Sequence, residues 1–228
     1  MPHHPAHNVP PRPTGEEAPA SKEAPPLPVQ PGQTMLFFGD SITAATPGYL
    51  DVLQQVLGHS RPDLGLRLIN AGIPGNTIRD LAARLDRDVL ARRPDWVVIG
   101  IGANDYFGAA RGPGGVPLAE FETGYRALVE RLQRAGLDPV LLTIPVIGSD
   151  EEDSPIPDPR AYNAAIKALA QGAGLRLVDV HRAFYAVYER AAQYKQIISL
   201  STDGIHPNSQ GHALIARTLV QQLGLLRK

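Results

Sequence analysis

Residues 34–43 of the chain read TMLFFGDSIT, and this stretch carries the clearest information about the fold. The apolar run at 34–38 suits a buried strand of a parallel sheet, and Gly39 ends that run. Ser41 follows two residues beyond the strand, where a helical segment would begin. In parallel α/β sheets, ligands bind beyond the carboxyl ends of the strands. The stretch therefore predicts a first strand with a serine at its functional end.

The alternation of strand and helix continues to the end of the chain. Further apolar strands are predicted at 66–69, 96–101, 139–144 and 175–178, and helices at 47–57, 77–92, 118–135, 159–171, 183–194 and 209–223. Parallel strands require such crossover helices, which then cover both faces of the sheet. The predicted fold class is α/β, a three-layer α/β/α sandwich around a five-stranded parallel sheet.

The first 33 residues differ in composition from the rest of the chain. They hold 10 of the 22 prolines and few apolar residues, so they cannot offset the entropy of ordering the chain. We expect a disordered, proline-rich tail at 1–33 and one domain at 34–228. No secretory signal is recognisable in the tail, so the expected location is the cytoplasm rather than the exterior.

Composition argues against several classes of function. Lys and Arg number 22 against 23 Asp and Glu, which leaves a formal net charge of −1 and no basic footprint for nucleic acid. The chain has no cysteine, so disulfides, thiolate nucleophiles and cysteine-ligated zinc are excluded. No stretch approaches the roughly 18 apolar residues of a membrane-spanning helix. We therefore expect a small-molecule substrate, no nucleic-acid partner and no membrane span.

His206 is the candidate general base for Ser41. It lies just before the last predicted helix, and Asp203 precedes it by three residues. This spacing lets the carboxylate reach the imidazole Nδ1 while Nε2 faces the serine, as in a Ser–His–Asp system. His181, at the start of a predicted helix, and His212, on the final helix, are the alternative histidines.

Three groups at the same sheet edge are candidate donors to an oxyanion. They are the backbone N–H of Ser41, the backbone N–H of Gly75 after the second strand, and the side-chain amide of Asn104 after the third. Each preorganised donor of this kind is typically worth about 3 kcal/mol in the transition state. Each also has a structural alternative, since glycine serves turn geometry and asparagine caps loops. Asp105, beside Asn104, is interpreted as structural.

Taken in chain order, these features resemble the SGNH hydrolases, also called the GDSL esterase/lipase family. The resemblance covers essentially all of 34–228. Within the family the chain looks most like the branch that holds bacterial acetylxylan esterases, and more loosely like thioesterase I/lysophospholipase L1-type enzymes. The motifs that carry the resemblance are GDSIT (39–43), NAGIPGNT (70–77), GANDYF (102–107) and DGIHPN (203–208).

The resemblance implies a flavodoxin-like sheet with strand order 2-1-3-4-5 and no metal or other cofactor. It implies that Ser41 is the nucleophile, His206 the base and Asp203 the residue that orients the base. The N–H groups of Ser41 and Gly75 and the amide of Asn104 would then form the oxyanion hole. The expected activity is a serine ester hydrolase acting through an acyl-enzyme on short acyl esters, acetyl above all, such as O-acetylated carbohydrates.

Other functions remain open from the sequence. A thioesterase or lysophospholipase would use the same catalytic residues, and an acyltransferase would pass the acyl group to an alcohol instead of water. A non-catalytic binding module would keep the loops without turnover. The acidic segment 148–158 after the fourth strand could form a lip over the site or a solvated loop. The sequence does not determine the oligomeric state.

Overall fold

The computed structural model describes residues 26–111, 114–145 and 159–226. Within these ranges, one sheet contains five strands in the order β2-β1-β3-β4-β5, and every neighbouring pair is parallel. This confirms the predicted fold class and strand order. The strands are β1 (Thr34–Gly39), β2 (Arg67–Gly72), β3 (Trp96–Gly100), β4 (Val140–Leu142) and β5 (Leu177–Val178).

Helices flank the sheet in two groups. In one group α2 and α7 each contact α8, and in the other α3 and α6 each contact α5. Short 3-10 turns at Pro62–Leu64 and Leu90–Arg92 complete the connections. The helices are α1 (Ser41–Ala44), α2 (Tyr49–Ser60), α3 (Ile78–Asp88), α4 (Ala103–Arg111), α5 (Leu118–Arg134), α6 (Arg160–Gly172), α7 (Val180–Gln193) and α8 (Ser209–Gln222).

The central strand β1 explains the apolar run in the opening stretch. Four consecutive residues of β1, Met35 to Phe38, are completely buried, because β1 lies between β2 and β3 and is covered by helices on both faces. A strand covered on both faces has no polar alternation. Its carboxyl end, at Gly39, therefore lies at the carboxyl edge of the sheet, between the ends of β2 and β3.

Helix α3 begins where the sequence predicted. The Thr77 backbone N–H donates to the Asp80 carboxylate at 2.8 Å, and the pair forms a capping box. The first turn then buries Ile78, and the next turns bury Leu81 and Leu85. This capping fixes the point at which the chain leaves the loop after β2, and that loop belongs to the candidate site.

Packed structure begins earlier than the predicted boundary at residue 34. Leu27 is buried in the main core, and its N–H donates to the Leu223 carbonyl at 2.8 Å. The proline-rich composition of 26–33 concealed this contact, which depends on a partner almost 200 positions away. Residues 1–25 lie outside the described ranges, so the predicted tail stays a prediction there. The acidic segment 148–158 also lies outside them.

Helix α1 is the helical segment expected at Ser41, whereas α4 was not predicted; both start at the sheet edge. The Asp40 side chain accepts from the Ile42 N–H at 3.0 Å and caps α1. In α4, Gly108 lies against the backbone of Gly115, where any Cβ atom would clash. Glycine at these positions thus permits a close approach of two chain segments. No helix in the described ranges is both long and apolar enough to cross a membrane.

Candidate active site

Ser41 occupies the first position of α1, directly beyond the end of β1. Gly39 is the last residue of the strand, and only glycine fits there, because a Cβ atom would clash with the Gly100 carbonyl and the Thr43 side chain. Asp40 then caps α1 and turns the chain away from the sheet. This local geometry presents the serine at the carboxyl edge of the sheet, as the sequence predicted.

His206 and Asp203 form a continuous hydrogen-bonded line with Ser41. The Ser41 Oγ lies 3.0 Å from His206 Nε2, although the two residues are 165 positions apart in the chain. The His206 Nδ1 lies 2.7 Å from Asp203 Oδ2. With the ring proton on Nδ1, His206 donates to the carboxylate and its Nε2 accepts from the serine hydroxyl. The structure thus brings together the three residues singled out by the sequence.

Asp203 binds the backbone of the loop that carries His206 as well as the imidazole. The Asp203 Oδ1 accepts the backbone N–H groups of Ile205 at 2.9 Å and His206 at 2.7 Å. The Thr202 N–H donates to the His206 carbonyl at 3.0 Å, and Gly204 supplies a φ of +83° for the bend. These bonds fix the carboxylate and the imidazole in one short turn.

The Asp203 carboxyl is held in its ionised form. Partial burial acts to raise its pKa, but the backbone and side-chain hydrogen bonds from His206, with that from Ile205, outweigh it. The net effect lowers the pKa of Asp203 to about 2. A carboxylate that stays charged at neutral pH can stabilise an imidazolium on His206.

The turn that contains Gly75 is fixed between the other two parts of the site. The Asn76 N–H donates to the Ile73 carbonyl at 3.2 Å, and Gly75 adopts a φ of +80° within that turn. The Ile73 N–H donates to the Gly39 carbonyl at 3.0 Å, and the Asn104 amide donates to the Asn76 carbonyl at 2.9 Å. One N–H of Asn104 is used in this contact, and a second remains on the same nitrogen. The predicted oxyanion donors therefore lie on interlocked segments.

Asp105, in α4, joins neighbouring segments of the site through hydrogen bonds. Its Oδ1 accepts the Ile78 N–H at 2.9 Å, and its backbone carbonyl accepts the Val116 N–H at 3.1 Å. The side chain is completely buried, and burial raises the pKa of Asp105 to about 6. These contacts join α4 to the start of α3 and agree with the structural interpretation of Asp105.

A buried carboxyl group behind the nucleophile was not found from the sequence. The Asp40 side chain is 2% exposed and lines a cavity of about 30 Å³ together with Thr43, Tyr49 and Thr143. Tyr49 Oη lies 3.1 Å from Thr43 Oγ1. Burial raises the pKa of Asp40 to about 7. Its position directly after a wholly apolar strand was the available signal.

The two alternative histidines occupy other places. His212 is buried against the Tyr49 ring, with ring centroids 6.4 Å apart, and burial lowers the pKa of His212. It is therefore a neutral core histidine. His181 stands at the start of α7, where its N–H donates to Thr143 Oγ1 at 2.8 Å and its ring stacks on Tyr185. Of the three histidines, His206 is the one that accepts the hydrogen bond from the Ser41 hydroxyl.

The chemistry available at this edge is proton transfer coupled to nucleophilic attack. A hydroxyl, an imidazole and a carboxylate lie in hydrogen-bonding contact, with amide donors on adjoining segments. Among the side chains that the structure describes, no group of three or more His, Asp or Glu residues is placed to hold a metal ion. Both ring nitrogens of His206 are engaged by Ser41 and Asp203.

Comparison with known sequences identifies relatives along most of the chain. A family model described as the GDSL-like lipase/acylhydrolase family matches residues 37–214. An acetylxylan esterase of Geobacillus stearothermophilus is 33% identical over 211 residues, which cover 85% of this chain and 94% of the relative. Thioesterase 1/protease 1/lysophospholipase L1 of Escherichia coli K12 is 26% identical over 190 residues, 83% of each chain.

Solved structures of acetylxylan esterases also align with most of this chain. The crystal structure of the acetylxylan esterase from Geobacillus stearothermophilus aligns with a TM-score of 0.73 at 33% identity, covering 86% of this chain and 96% of that one. A second acetyl xylan esterase aligns with a TM-score of 0.74 at 31% identity, covering 82% and 98%. On fold, motifs and overall similarity, the chain belongs to the GDSL-like lipase/acylhydrolase family and is a carboxylic ester hydrolase.

Proposed function

We propose that this chain removes short acyl groups, acetyl above all, from O-acylated carbohydrates by a two-step Ser–His–Asp mechanism. The observation that carries the proposal is the line from Ser41 Oγ through His206 to Asp203, with contacts of 3.0 and 2.7 Å. The acetylxylan esterases among the relatives support the acetyl assignment. Catalytic mutants of one of them replace a serine, an aspartate and a histidine, the last two three positions apart, which is also the spacing here.

In the first step, the Ser41 Oγ attacks the ester carbonyl while its proton passes to His206 Nε2. The ionised Asp203 stabilises the resulting imidazolium and keeps the ring in position. The tetrahedral oxyanion is stabilised by the N–H groups of Ser41 and Gly75 and by the Asn104 amide. The imidazolium then gives its proton to the departing alcohol oxygen, which leaves an acyl group on Ser41.

In the second step, water replaces the alcohol. His206 Nε2 takes a proton from the water as its oxygen attacks the acyl carbonyl, and the same donors hold the second oxyanion. The proton returns from His206 to Ser41 Oγ as the acyl bond breaks. The carboxylic acid departs and the free enzyme is restored.

The relationship to thioesterase 1/lysophospholipase L1 favours a second candidate, hydrolysis of longer acyl thioesters or lysolipids. Both functions would use the same nucleophile, and the second would prefer longer acyl chains. Initial rates on p-nitrophenyl esters from acetate to palmitate separate them. A maximum at acetate supports the first candidate, and a maximum at eight carbons or beyond supports the second.

The mechanism itself is tested with variants in the same assay. Ser41→Ala and His206→Ala should each lower kcat by several orders of magnitude with folding intact. His181→Ala is the matched control, because His181 lies outside the hydrogen-bonded line, and it should keep most of the activity. Addition of an alcohol acceptor tests for acyl transfer through the same acyl-enzyme. A Ser41→Ala variant with the rate of the parent protein would refute the proposal.

A further inference from the structure

A buried arginine in α3 contacts two of the segments that carry or adjoin candidate catalytic groups. The Arg84 side chain is 7% exposed. Its Nη2 donates to the Gly39 carbonyl at 2.9 Å, and its Nε donates to Asn76 Oδ1 at 2.7 Å. Its Nη1 donates to Asp88 Oδ2, one helical turn further on, at 2.9 Å. All three nitrogens of the guanidinium are therefore engaged.

The two loop contacts of Arg84 lie next to the reacting groups. Gly39 precedes Ser41 by two residues and ends β1. Asn76 directly follows Gly75, and its carbonyl accepts the Asn104 amide at 2.9 Å. One rigid side chain thus spans the segment that carries the nucleophile and the turn that carries an oxyanion donor, and through Asn76 it also reaches Asn104.

The charge of Arg84 is balanced within the helix. Asp88 receives hydrogen bonds from Arg84 and from the exposed Arg87, and these hold the pKa of Asp88 well below its usual range. The Arg84 guanidinium also lies 4.3 Å from the centre of the Phe38 ring in β1. A buried ion pair adds little net stability compared with apolar side chains of similar volume. Its contacts with the loops are therefore the more informative feature.

We propose that Arg84 is a positioning residue that fixes the distance between Ser41 and the oxyanion donors Gly75 and Asn104. This inference rests on the proposed function, since it concerns the same acyl transfer. The planar guanidinium presents donors in a fixed fork, which a lysine ammonium cannot reproduce. Because the line from Ser41 to Asp203 does not pass through Arg84, loss of the fork displaces the oxyanion donors and leaves the base in place.

We expect that replacing Arg84 weakens the stabilisation of the transition state and leaves substrate binding nearly unchanged. Donors that act on the oxyanion contribute to kcat rather than to substrate binding. Displacement of a preorganised group by about 1 Å can cost on the order of 100-fold in rate. We expect Arg84→Lys to lower kcat by roughly 10- to 100-fold, with KM within about 3-fold of the parent value.

Asn76→Ala tests the same contact from the other side. This substitution removes the acceptor for Arg84 Nε but keeps the backbone carbonyl that binds Asn104. We expect it to lower kcat in the same direction, and the Arg84→Lys/Asn76→Ala double variant to lose less than the product of the two single losses. If Arg84→Lys does not fold, Asn76→Ala carries the test alone.

Two controls separate positioning from support of the fold. Asp88→Asn removes the ion pair and should lower the urea midpoint, while leaving the donors of Arg84 on Gly39 and Asn76. Its kcat should stay near the parent value below its unfolding transition. Arg87→Lys is the matched arginine control, since Arg87 bonds the same Asp88 from an exposed position. It should change neither kcat nor KM.

The experiment measures kcat, KM and the urea midpoint of these variants with p-nitrophenyl acetate, beside Ser41→Ala. A folded Arg84→Lys with the parent kcat would overturn the inference, as would an Asp88→Asn variant that loses as much kcat as Arg84→Lys. If Ser41→Ala is inactive in that case, the proposed function stands and only the role of Arg84 fails. If Ser41→Ala retains activity, the proposed function itself fails.

Discussion

Replacing Asp40 with asparagine should stabilise the protein, and the gain should grow as the pH rises. The Asp40 carboxyl lies behind the nucleophile, 2% exposed, and one oxygen accepts the Ile42 N–H. Burial raises the pKa of Asp40 to about 7, although the hydrogen bond from Ile42 opposes this shift. Asparagine has the same shape, keeps a carbonyl oxygen for Ile42 and carries no charge.

The sign follows from which state of the protein holds the proton. Between the ordinary value of 3.8 and about 7, the folded protein keeps a proton on Asp40 that the unfolded chain has released. The native state therefore binds more protons over this interval, so the free energy of unfolding falls as the pH rises. The full shift corresponds to about 4 kcal/mol, of which roughly 2.5 kcal/mol accumulates between pH 5 and pH 8.

Urea unfolding of the parent protein and Asp40→Asn at pH 5 and pH 8 measures this difference. The stability advantage of the variant should increase by roughly 2 to 3 kcal/mol between the two pH values. Glu120→Gln is the control, because the hydrogen bond from Arg79 lowers the pKa of the exposed Glu120 and so moves its titration in the folded protein away from this interval. Its effect should be the same at both pH values. An Asp40→Asn advantage that stays constant or shrinks with pH would refute the reasoning.

Two further predictions concern the site and its surroundings. Asn104→Ala should lower kcat by about 100- to 1,000-fold with little change in KM or in the urea midpoint, and a loss expressed mainly in KM would count against its role in the oxyanion hole. Burial lowers the pKa of His212, so the unfolded chain takes up a proton that the folded protein resists, and stability is lost on acidification. Between pH 7 and pH 5, the urea midpoint should therefore fall less for His212→Gln than for the parent protein. An equal fall of the midpoint in both proteins would contradict this account.

The features that the sequence predicted well are those with strong local signals. The apolar run before Gly39 identified the central strand, and the helix predicted at 77–92 begins in the structure at its Thr77 cap. The three-residue spacing from Asp203 to His206 identified a pair that the structure joins at 2.7 Å. The strand order came from the family resemblance, because it is not encoded in a local pattern.

The features that the sequence did not predict depend on partners far away in the chain. Leu27 has no periodic neighbours, and only its contact with Leu223 shows that it belongs to the core. Arg84 lies on a polar-looking helix, and its burial depends on Gly39, 45 positions earlier. Helical periodicity alone cannot reveal a charged side chain that is buried by the ends of other strands.

The central claim is that Ser41 carries the acyl group during turnover. The most direct measurement is peptide mapping by mass spectrometry after the reaction with p-nitrophenyl acetate has been quenched in acid during steady-state turnover. The account predicts an acetyl adduct on Ser41 in the parent protein and no adduct at this position in Ser41→Ala, which should also lack turnover. An adduct on a different residue, or turnover by Ser41→Ala, would contradict it.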